Sequence, residues 1–159
     1  MAGHGAPESN LVDASGLRLG VVATRWHVQL VDHMVERAHQ AAKACSVAQV
    51  TTLRVAGSVE LPVVAQALAR RYDAVAALGV VIRGETAHFD YVCRSVTDGL
   101  TRVALDEATP VGHGVLTVDS MEQAVDRAGF EESSEDKGWA TAVAALEAAV
   151  AVRSVILSP

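Results

Sequence analysis

The chain has 159 residues, half of them hydrophobic and only 4% aromatic, and its formal net charge is −6. This length allows one domain with a substantial core, built mainly from Val, Ala and Leu, and is too short for two ordinary domains. The acidic balance argues against a nucleic-acid scaffold, although a local basic site for a small anion remains compatible with it.

The first two strand–helix units follow a segment of small and polar residues. We expect residues 1–16 to be a flexible segment that precedes a single domain. The run 17–23 is short, apolar and β-branched and predicts a strand, and 26–44 carries apolar residues at helical spacing. A second strand is predicted at 50–55, and a second helix begins near Pro62, because proline is favoured in the first helical turn.

Two further units complete the alternation. Residues 74–82 are apolar almost without a break, as in a strand covered on both faces, and a third helix follows from about His88. A fourth strand is predicted at 111–118, and then a short helix that Ser120 caps and that ends at Gly129. This order predicts an α/β fold, a three-layer sandwich in which helices cover both faces of a four-stranded, mostly parallel sheet.

The last helix is predicted to begin with a capping box at 133–136 and is apolar on nearly every face. Within 140–152 only Thr141 and Glu147 interrupt the apolar residues. Glu147 and Arg153 break the run, which favours a buried helix over a membrane span. Such a helix needs other parts of a protein packed against several of its sides, and we expect a second subunit to provide them. The alternative is that its alanine-rich faces tolerate contact with solvent. We therefore predict a homo-oligomer with no membrane association.

The cysteines and the start of the chain favour a cytoplasmic protein. Cys45 and Cys93 are far apart and form no Cys-x-x-Cys motif, so free thiols that behave as small hydrophobic residues are the simplest interpretation. No positively charged segment precedes an apolar one near the start, which argues against a signal peptide. The single domain is predicted to span 17–159.

The candidate binding site lies where the chain leaves the predicted strands. Ligands of open α/β sheets bind at the carboxyl ends of the strands, and the segments that leave those ends are 24–27, 57–60, 83–88 and the residues around 112–114. All four contain Gly, polar or aromatic residues. Trp26 could stack on a flat heterocycle or cap the core beside the first helix, and its position leaves both interpretations open.

Gly84, Glu85 and Thr86 directly precede the third helix and predict an anion cradle. Backbone N–H groups and the positive helix end would hold a phosphate there, and the Thr86 hydroxyl would add a donor. An ordinary N-cap by Thr86 is the alternative interpretation. The negative charge of Glu85 requires its side chain to point away from a bound anion.

Three further residues could supply protons or positive charge. His88 lies in the first turn of the third helix, where the helix dipole favours a neutral ring that can accept a proton; a capping or surface role is the alternative. Arg127 and Lys137 flank a loop, where cations are usually solvated but where a phosphate would be a suitable partner.

Other chemistries lack their motifs. His27, His33 and His39 are six residues apart, so they do not lie as neighbours on one helical face, as metal ligands would. The sequence has no Gly-x-Ser-x-Gly elbow, Walker phosphate loop or Gly-x-Gly-x-x-Gly motif. This argues against activated-serine hydrolases, P-loop enzymes and nicotinamide enzymes.

Four ordered segments resemble lumazine synthases. GVVIRGETAHFDYV at 79–92 resembles the family signature, and GSVELP at 57–62 resembles its Gly-x-x-Glu-Ile-Pro motif. Segments within 114–129 resemble a later motif, and Lys137-Gly138 matches the final one. The resemblance covers nearly the whole chain from Leu17 onward. With it we expect the flavodoxin-like strand order 2-1-3-4.

The resemblance implies a reaction. Lumazine synthases join 5-amino-6-(D-ribitylamino)uracil to L-3,4-dihydroxy-2-butanone 4-phosphate and release 6,7-dimethyl-8-ribityllumazine, phosphate and water, which is the penultimate step of riboflavin biosynthesis. It also implies that no cofactor and no metal are needed. The expected partners are therefore these small substrates and further copies of the chain.

The resemblance also implies residue roles. Trp26 would stack on the pyrimidine ring and His88 would transfer protons. Further substrate contacts would come from Ser58, Val59, Glu60, Val80, Val81, Ile82, His113 and Lys137. The phosphate would be bound by Gly84, Glu85 (through its backbone), Thr86 and, from a neighbouring subunit, Arg127.

Two residues depart from the family pattern. His113 stands where Phe or Asn is common, near the ring and ribityl contacts, and Glu85 replaces a usually uncharged residue. They leave open a non-catalytic paralogue that binds a flavin or lumazine, and the apolar last helix leaves open a purely structural shell component. Family members form pentamers, paired pentamers or sixty-subunit shells. The loop 130–136 looks longer than in shell-forming members, which predicts a free pentamer with active sites at subunit interfaces.

Overall fold

Residues 11–157 are described by a computed structural model, in which four strands alternate with helices. The strands are β1 (Arg18–Thr24), β2 (Gln49–Val55), β3 (Ala74–Ile82) and β4 (Val111–Val118). The helices are α1 (Val28–Ala44), α2 (Leu61–Ala69), α3 (His88–Asp106), α4 (Met121–Val125) and α5 (Lys137–Leu157). A 3-10 turn at Ser58–Glu60 leads directly into α2. The predicted strands and long helices are confirmed to within a few residues at their ends.

The four strands form one parallel sheet in the order β2-β1-β3-β4. This confirms the predicted fold class and strand order. The central strands β1 and β3 are buried on both faces, which explains why β3 is an unbroken apolar run rather than an alternating one.

Helices cover both faces of the sheet. On one side, here called the α1–α5 face, the core contains Leu19, Met34 and Leu146. On the other side, the α2–α3 face, it contains Val22 and Leu100. Neighbouring residues of one strand point to opposite faces, so a single strand contributes to both cores.

Glycines allow α5 to pack closely against β4 and α1. A methyl group at Gly112 would lie 2.7 Å from Cγ2 of Thr141, and one at Gly114 would lie 2.7 Å from its Oγ1. A methyl group at Gly138 would collide with the backbone carbonyl of Met34 in α1. These close contacts hold α5 against the sheet on one side and against α1 on the other, and they set the position of its first residue, Lys137.

The short helix after β4 begins as predicted but ends earlier. The Ser120 hydroxyl accepts a hydrogen bond from the Gln123 N–H at 3.3 Å, as expected for an N-cap. However, α4 ends at Val125 and not at Gly129, because the chain tightens into three-residue turns after that point.

The prediction that Ser133 opens the last helix is wrong. The Ser133 hydroxyl instead donates to the Val125 carbonyl at 2.5 Å, because the loop folds back on the end of α4. Asp136 caps α5, and its Oδ1 accepts a hydrogen bond from the Trp139 N–H at 3.0 Å. Helix α5 therefore begins directly after the loop residue Asp136.

Part of the segment predicted to be flexible lies outside the described residues, which begin at Leu11. Within the part that is described, Ala14 is buried and its N–H donates to the Cys45 carbonyl at 2.8 Å. Ser15 forms an isolated bridge with Val47. Ala14 therefore already belongs to the packed domain. Cys45 and Cys93 are both free thiols, and Cys45 is buried.

By length and composition alone, α5 is apolar enough to cross a membrane. However, its buried residues pack against α1, β3 and β4, as in the core helix of a globular domain: Gly138, Thr141, Ala142, Val143, Ala145, Leu146 and Ala149. Its last turn exposes Val155, Ile156 and Leu157. The helix is thus covered on one side by its own chain and retains exposed apolar surface at its end.

The close approach of α5 to α1 gives a stability prediction. Gly138→Ala should lower the free energy of unfolding by about 3 kcal/mol, because the added methyl meets backbone that cannot move aside. Chemical denaturation at a fixed protein concentration measures this change. Gly84→Ala is the matched control, since a methyl there meets nothing within 4 Å. Equal stability of the two variants would contradict the proposed packing constraint.

Candidate active site

The ends of β1, β2 and β3 and the first turn of α3 enclose a crevice of about 330 Å³. It opens at the carboxyl edge of the parallel sheet, where the direction of the strands predicts a ligand site. Its lining consists of Trp26, His27, Gly57, Ser58, Val59, Glu60, Val80, Val81, Ile82, Gly84, Thr86, His88, Phe89 and Val92. Three of the four predicted strand exits therefore converge here. The prediction of a fourth exit around 112–114 is wrong, because these residues lie inside β4 and not after its carboxyl end.

Trp26 is a wall of the crevice and not a cap on the core. Its side chain is 68% exposed, which excludes the core-capping interpretation. Arg54 fixes the end of β1 just before it, because one guanidinium nitrogen donates to the Thr24 carbonyl at 3.2 Å and another to Asp32 at 2.5 Å. An indole held in this way can present a face to a flat ring.

The turn at Ser58–Glu60 supplies a polar wall. Glu60 closes the turn, since its Oε2 accepts a hydrogen bond from the Gly57 N–H at 2.8 Å. A methyl group at Gly79 would lie 2.9 Å from Cγ2 of Thr24 and 3.2 Å from the Ser58 hydroxyl oxygen. Gly79 therefore lets the Ser58 hydroxyl approach the sheet, and this wall can hydrogen-bond a polyhydroxyl chain.

The end of β3 supplies an apolar part of the lining. Val80 is only 3% exposed, so it belongs mainly to the core, whereas Val81 and Ile82 are half-buried. Such surface favours the edge or face of an apolar ring over a charged group.

The loop after β3 is arranged as an open cradle. Gly84 and Thr86 line the crevice, whereas Glu85 is exposed and does not line it. The Thr86 hydroxyl oxygen accepts a weak hydrogen bond from the His88 N–H at 3.4 Å, so the capping interpretation also has structural support. The N-terminus of the 19-residue helix α3 directly follows the loop and favours negative charge beside it.

His88 lines the crevice from the first turn of α3, and Arg83 fastens that turn to the sheet. The Arg83 guanidinium lies 4.2 Å from the centre of the Phe89 ring and contacts Asp90 at 3.3 Å and Asp119 at 2.8 Å. The hydrogen bond that Arg83 donates to Asp119 is the main cause that raises the pKa of the Arg83 guanidinium. The end of β4 is thereby joined to the turn that carries His88.

Sequence reasoning assigned no role to His27, Phe89 and Val92, although they line the same crevice. Phe89 and Val92 lie in the first two turns of α3, beside His88, and line the crevice from there. His27 has a left-handed backbone, with φ 53°, that its sequence does not reveal.

Arg127 and Lys137 do not line this crevice; they flank a loop on the α1–α5 face. Phe130 of that loop stacks on His33 of α1, with ring centres 4.0 Å apart, and the His33 ring contacts the Gly129 carbonyl at 2.9 Å. Arg37 of α1 pairs with Asp136 at 2.6 Å.

The crevice, in contrast, opens beside α3. Neither cation therefore belongs to the lining of its own chain's crevice.

His113 also lies outside the crevice, on the edge strand β4. Its Nε2 is 3.1 Å from the Thr97 hydroxyl oxygen in α3, and partial desolvation lowers the pKa of the ring. The side chain lines an apolar groove of about 680 Å³ between the end of α3, β4 and α5, together with Leu105 and Ala148.

Within the described residues 11–157, no three His, Cys, Asp or Glu side chains are grouped closely enough to hold a metal ion. The polar side chains that line the crevice instead carry hydroxyls, one carboxylate, two imidazole rings and the indole N–H of Trp26. Such groups can hydrogen-bond a substrate and carry protons.

Residues 16–153 match the family model of 6,7-dimethyl-8-ribityllumazine synthase. A protein of that name from Salinispora arenicola is 72% identical over 155 residues, which cover 98% of this chain and 93% of the relative. A relative of the same name from Thermobifida fusca is 62% identical, and the match covers 98% of this chain and 91% of the relative. Another from Saccharopolyspora erythraea is 58% identical, and the match covers 98% of this chain and 94% of the relative. With the family model matching almost the whole described domain, the chain belongs to the 6,7-dimethyl-8-ribityllumazine synthase family.

Proposed function

We propose that this protein condenses 5-amino-6-(D-ribitylamino)uracil with L-3,4-dihydroxy-2-butanone 4-phosphate to form 6,7-dimethyl-8-ribityllumazine in riboflavin biosynthesis. It is a transferase of the cytoplasm that needs neither metal nor cofactor. One observation carries the proposal: a single crevice combines an exposed indole, a polar turn, an open glycine–threonine loop and a histidine. Membership in the family supports the same activity.

The pyrimidine substrate is bound by the first half of the crevice. The Trp26 ring stacks on the flat heterocycle, while the half-buried Val81 and Ile82 contact its edge. The hydroxyl of Ser58, the backbone of Val59 and the carboxylate of Glu60 hydrogen-bond the ribityl chain. These contacts place the reacting amine beside the cradle.

The phosphorylated ketone is bound by the second half. Backbone N–H groups at Gly84 and Glu85 and the hydroxyl of Thr86 hold the phosphate at the positive end of α3. The amine attacks the ketone carbon, and water leaves as the imine forms. Inorganic phosphate is then eliminated, and attack of the ribityl-bearing nitrogen on the resulting carbonyl closes the ring with loss of a second water. His88 accepts and returns the protons of these steps. Holding two flexible reactants together supplies much of the rate enhancement.

The cations of the site come from a neighbouring copy of the chain. Arg127 and Lys137 lie on the α1–α5 face, away from their own crevice, so a second subunit is needed to bring them to the phosphate. His113 of that neighbour reaches the ring and ribityl region from the exposed edge strand β4. The assembly is a homopentamer with one such site at each interface.

The two departures from the family pattern give little support to a non-catalytic paralogue. Glu85 does not line the crevice, and His113 can reach the site only from a neighbouring chain, at the ring and ribityl region. Neither residue replaces the histidine or the loop assigned to catalysis, which favours an intact catalytic crevice. The built crevice likewise argues against a purely structural shell component.

Catalysis is tested directly with both substrates. The purified protein should form lumazine, followed by absorbance, faster than the spontaneous reaction, and His88→Ala should slow turnover about 10–100-fold because proximity catalysis remains. His39→Ala is the matched control, since His39 contacts Thr52 at 2.7 Å on another surface. Tight substrate binding without product would favour the non-catalytic paralogue, and an unchanged rate in His88→Ala would remove His88 from the mechanism.

The phosphate role of Arg127 is tested by steady-state kinetics. Arg127→Ala should raise KM for the phosphorylated substrate about 10–100-fold and leave KM for the pyrimidine nearly unchanged, since a charge-assisted contact to one substrate is lost. Arg94→Ala removes an equal charge from an exposed pair with Asp98 and serves as the control. Equal effects of Arg127→Ala on both KM values would contradict the assignment.

The assembly state is tested by light scattering on the purified protein. A pentamer should give five times the chain mass of 16.6 kDa. Exposed Leu105 and the apolar groove beside it lie at the edge strand, where a neighbour would cover them. A monomer, or a particle many times larger than a pentamer, would contradict this proposal.

A further inference from the structure

Arg127 and Lys137 meet on one carboxylate, that of Glu135. The Arg127 Nε lies 3.4 Å from one Glu135 oxygen, and the Lys137 Nζ pairs with the other. The three side chains are only one quarter to one third exposed, so solvent screens their charges incompletely. An anion that approaches Arg127 and Lys137 is therefore repelled by the Glu135 carboxylate, which already pairs with both.

The backbone brings the two cations together, so their convergence does not depend on Glu135. The Glu135 N–H donates to the Asp126 carbonyl and the Lys137 N–H donates to the Arg127 carbonyl, both at 3.0 Å. Ala128 and Asp136 form an antiparallel bridge between these two bonds. The short ladder closes the loop and holds residues 127 and 137 side by side.

Other groups hold Arg127 and the loop independently of that carboxylate. The Arg127 Nη1 donates to the Gln123 carbonyl at 2.9 Å. His33 and Arg37 of α1 hold the loop at Phe130 and Asp136. Neutralising Glu135 should therefore change the charge at the cation pair and leave its geometry largely intact.

The other nearby carboxylate is already engaged. Asp126 lies 3.8 Å from Arg127, but its two oxygens accept hydrogen bonds from the Ser134 hydroxyl at 2.6 Å and the Ser134 N–H at 3.0 Å. These bonds lower the pKa of Asp126 and hold it on the loop. Glu135 is therefore the carboxylate that contacts both cations.

We propose that Glu135 is a specificity-determining residue that weakens anion binding at the Arg127–Lys137 pair. A phosphate dianion is attracted by the two cations and repelled by Glu135. The net attraction is enough to orient the phosphate of a substrate that other contacts also hold. It is too weak to retain free inorganic phosphate, so the released product leaves readily. That the anion is a phosphate rests on the proposed function.

The experiment titrates inorganic phosphate into the purified full-length protein by calorimetry at low ionic strength. Glu135→Gln keeps the shape of the side chain and removes its charge, and it should bind phosphate about tenfold more tightly than the unsubstituted protein. Glu132→Gln is the matched control, because it removes the same charge from an exposed position of the same loop and should change the affinity little. Glu135→Asp keeps the charge and should retain weak binding.

Turnover gives an independent readout. In Glu135→Gln, inorganic phosphate should inhibit at about one tenth of the usual concentration, and KM for the pyrimidine should stay unchanged. Phosphate binding that is unchanged or weaker in Glu135→Gln would overturn the proposal, since it would leave Glu135 with a positioning role or none. Glu135→Ala provides a second neutral variant should Glu135→Gln fold poorly.

A double variant separates this proposal from the proposed function. Arg127→Ala combined with Glu135→Gln should lose the gain in phosphate affinity. Persistence of that gain would mean that the anion binds elsewhere, which contradicts both the role of Glu135 and the phosphate assignment of Arg127. The substrate assay on the unsubstituted protein tests the synthase activity separately from both.

Discussion

The common direction of the four strands is the constraint on which the site depends. Parallel strands leave the sheet at one edge, so the segments after β1, β2 and β3 must meet there whatever their sequences. Trp26, the turn at Ser58–Glu60 and the loop before His88 then need only local contacts for their final placement. Arg54, Gly79 and Arg83 supply such contacts at the three exits.

The candidate phosphate-binding residues lie on two different sides of the same sheet. The cradle opens beside α3, whereas Arg127 and Lys137 are held by α1 through a closed loop. The close packing of α5 through Gly138 fixes the second of these cations. A subunit therefore carries two partial surfaces, and under the proposed function the crevice of one copy is completed by the cations of the next.

The sequence predicted the strands, the long helices and three of the four strand exits, because periodic apolar residues and glycines report backbone structure directly. It could not decide whether Trp26 capped the core, since exposure depends on distant residues. It also misplaced the cap of α5 at Ser133, because a local motif does not reveal that the loop folds back to Val125. The convergence of Arg127 and Lys137 on Glu135 depends on a ladder that no spacing rule predicts.

A mixing experiment tests the division of the site between copies most directly. Assemblies formed from equal amounts of His88→Ala and Arg127→Ala chains contain, with random assortment, about a quarter of interfaces with both residues intact. If His88 and Arg127 of one site belong to different chains, the mixture should regain about a quarter of the activity of the unsubstituted protein when the phosphorylated substrate is kept well below its KM, where each separate variant is nearly inactive. Activity no higher than the average of the two separate variants would contradict a shared site.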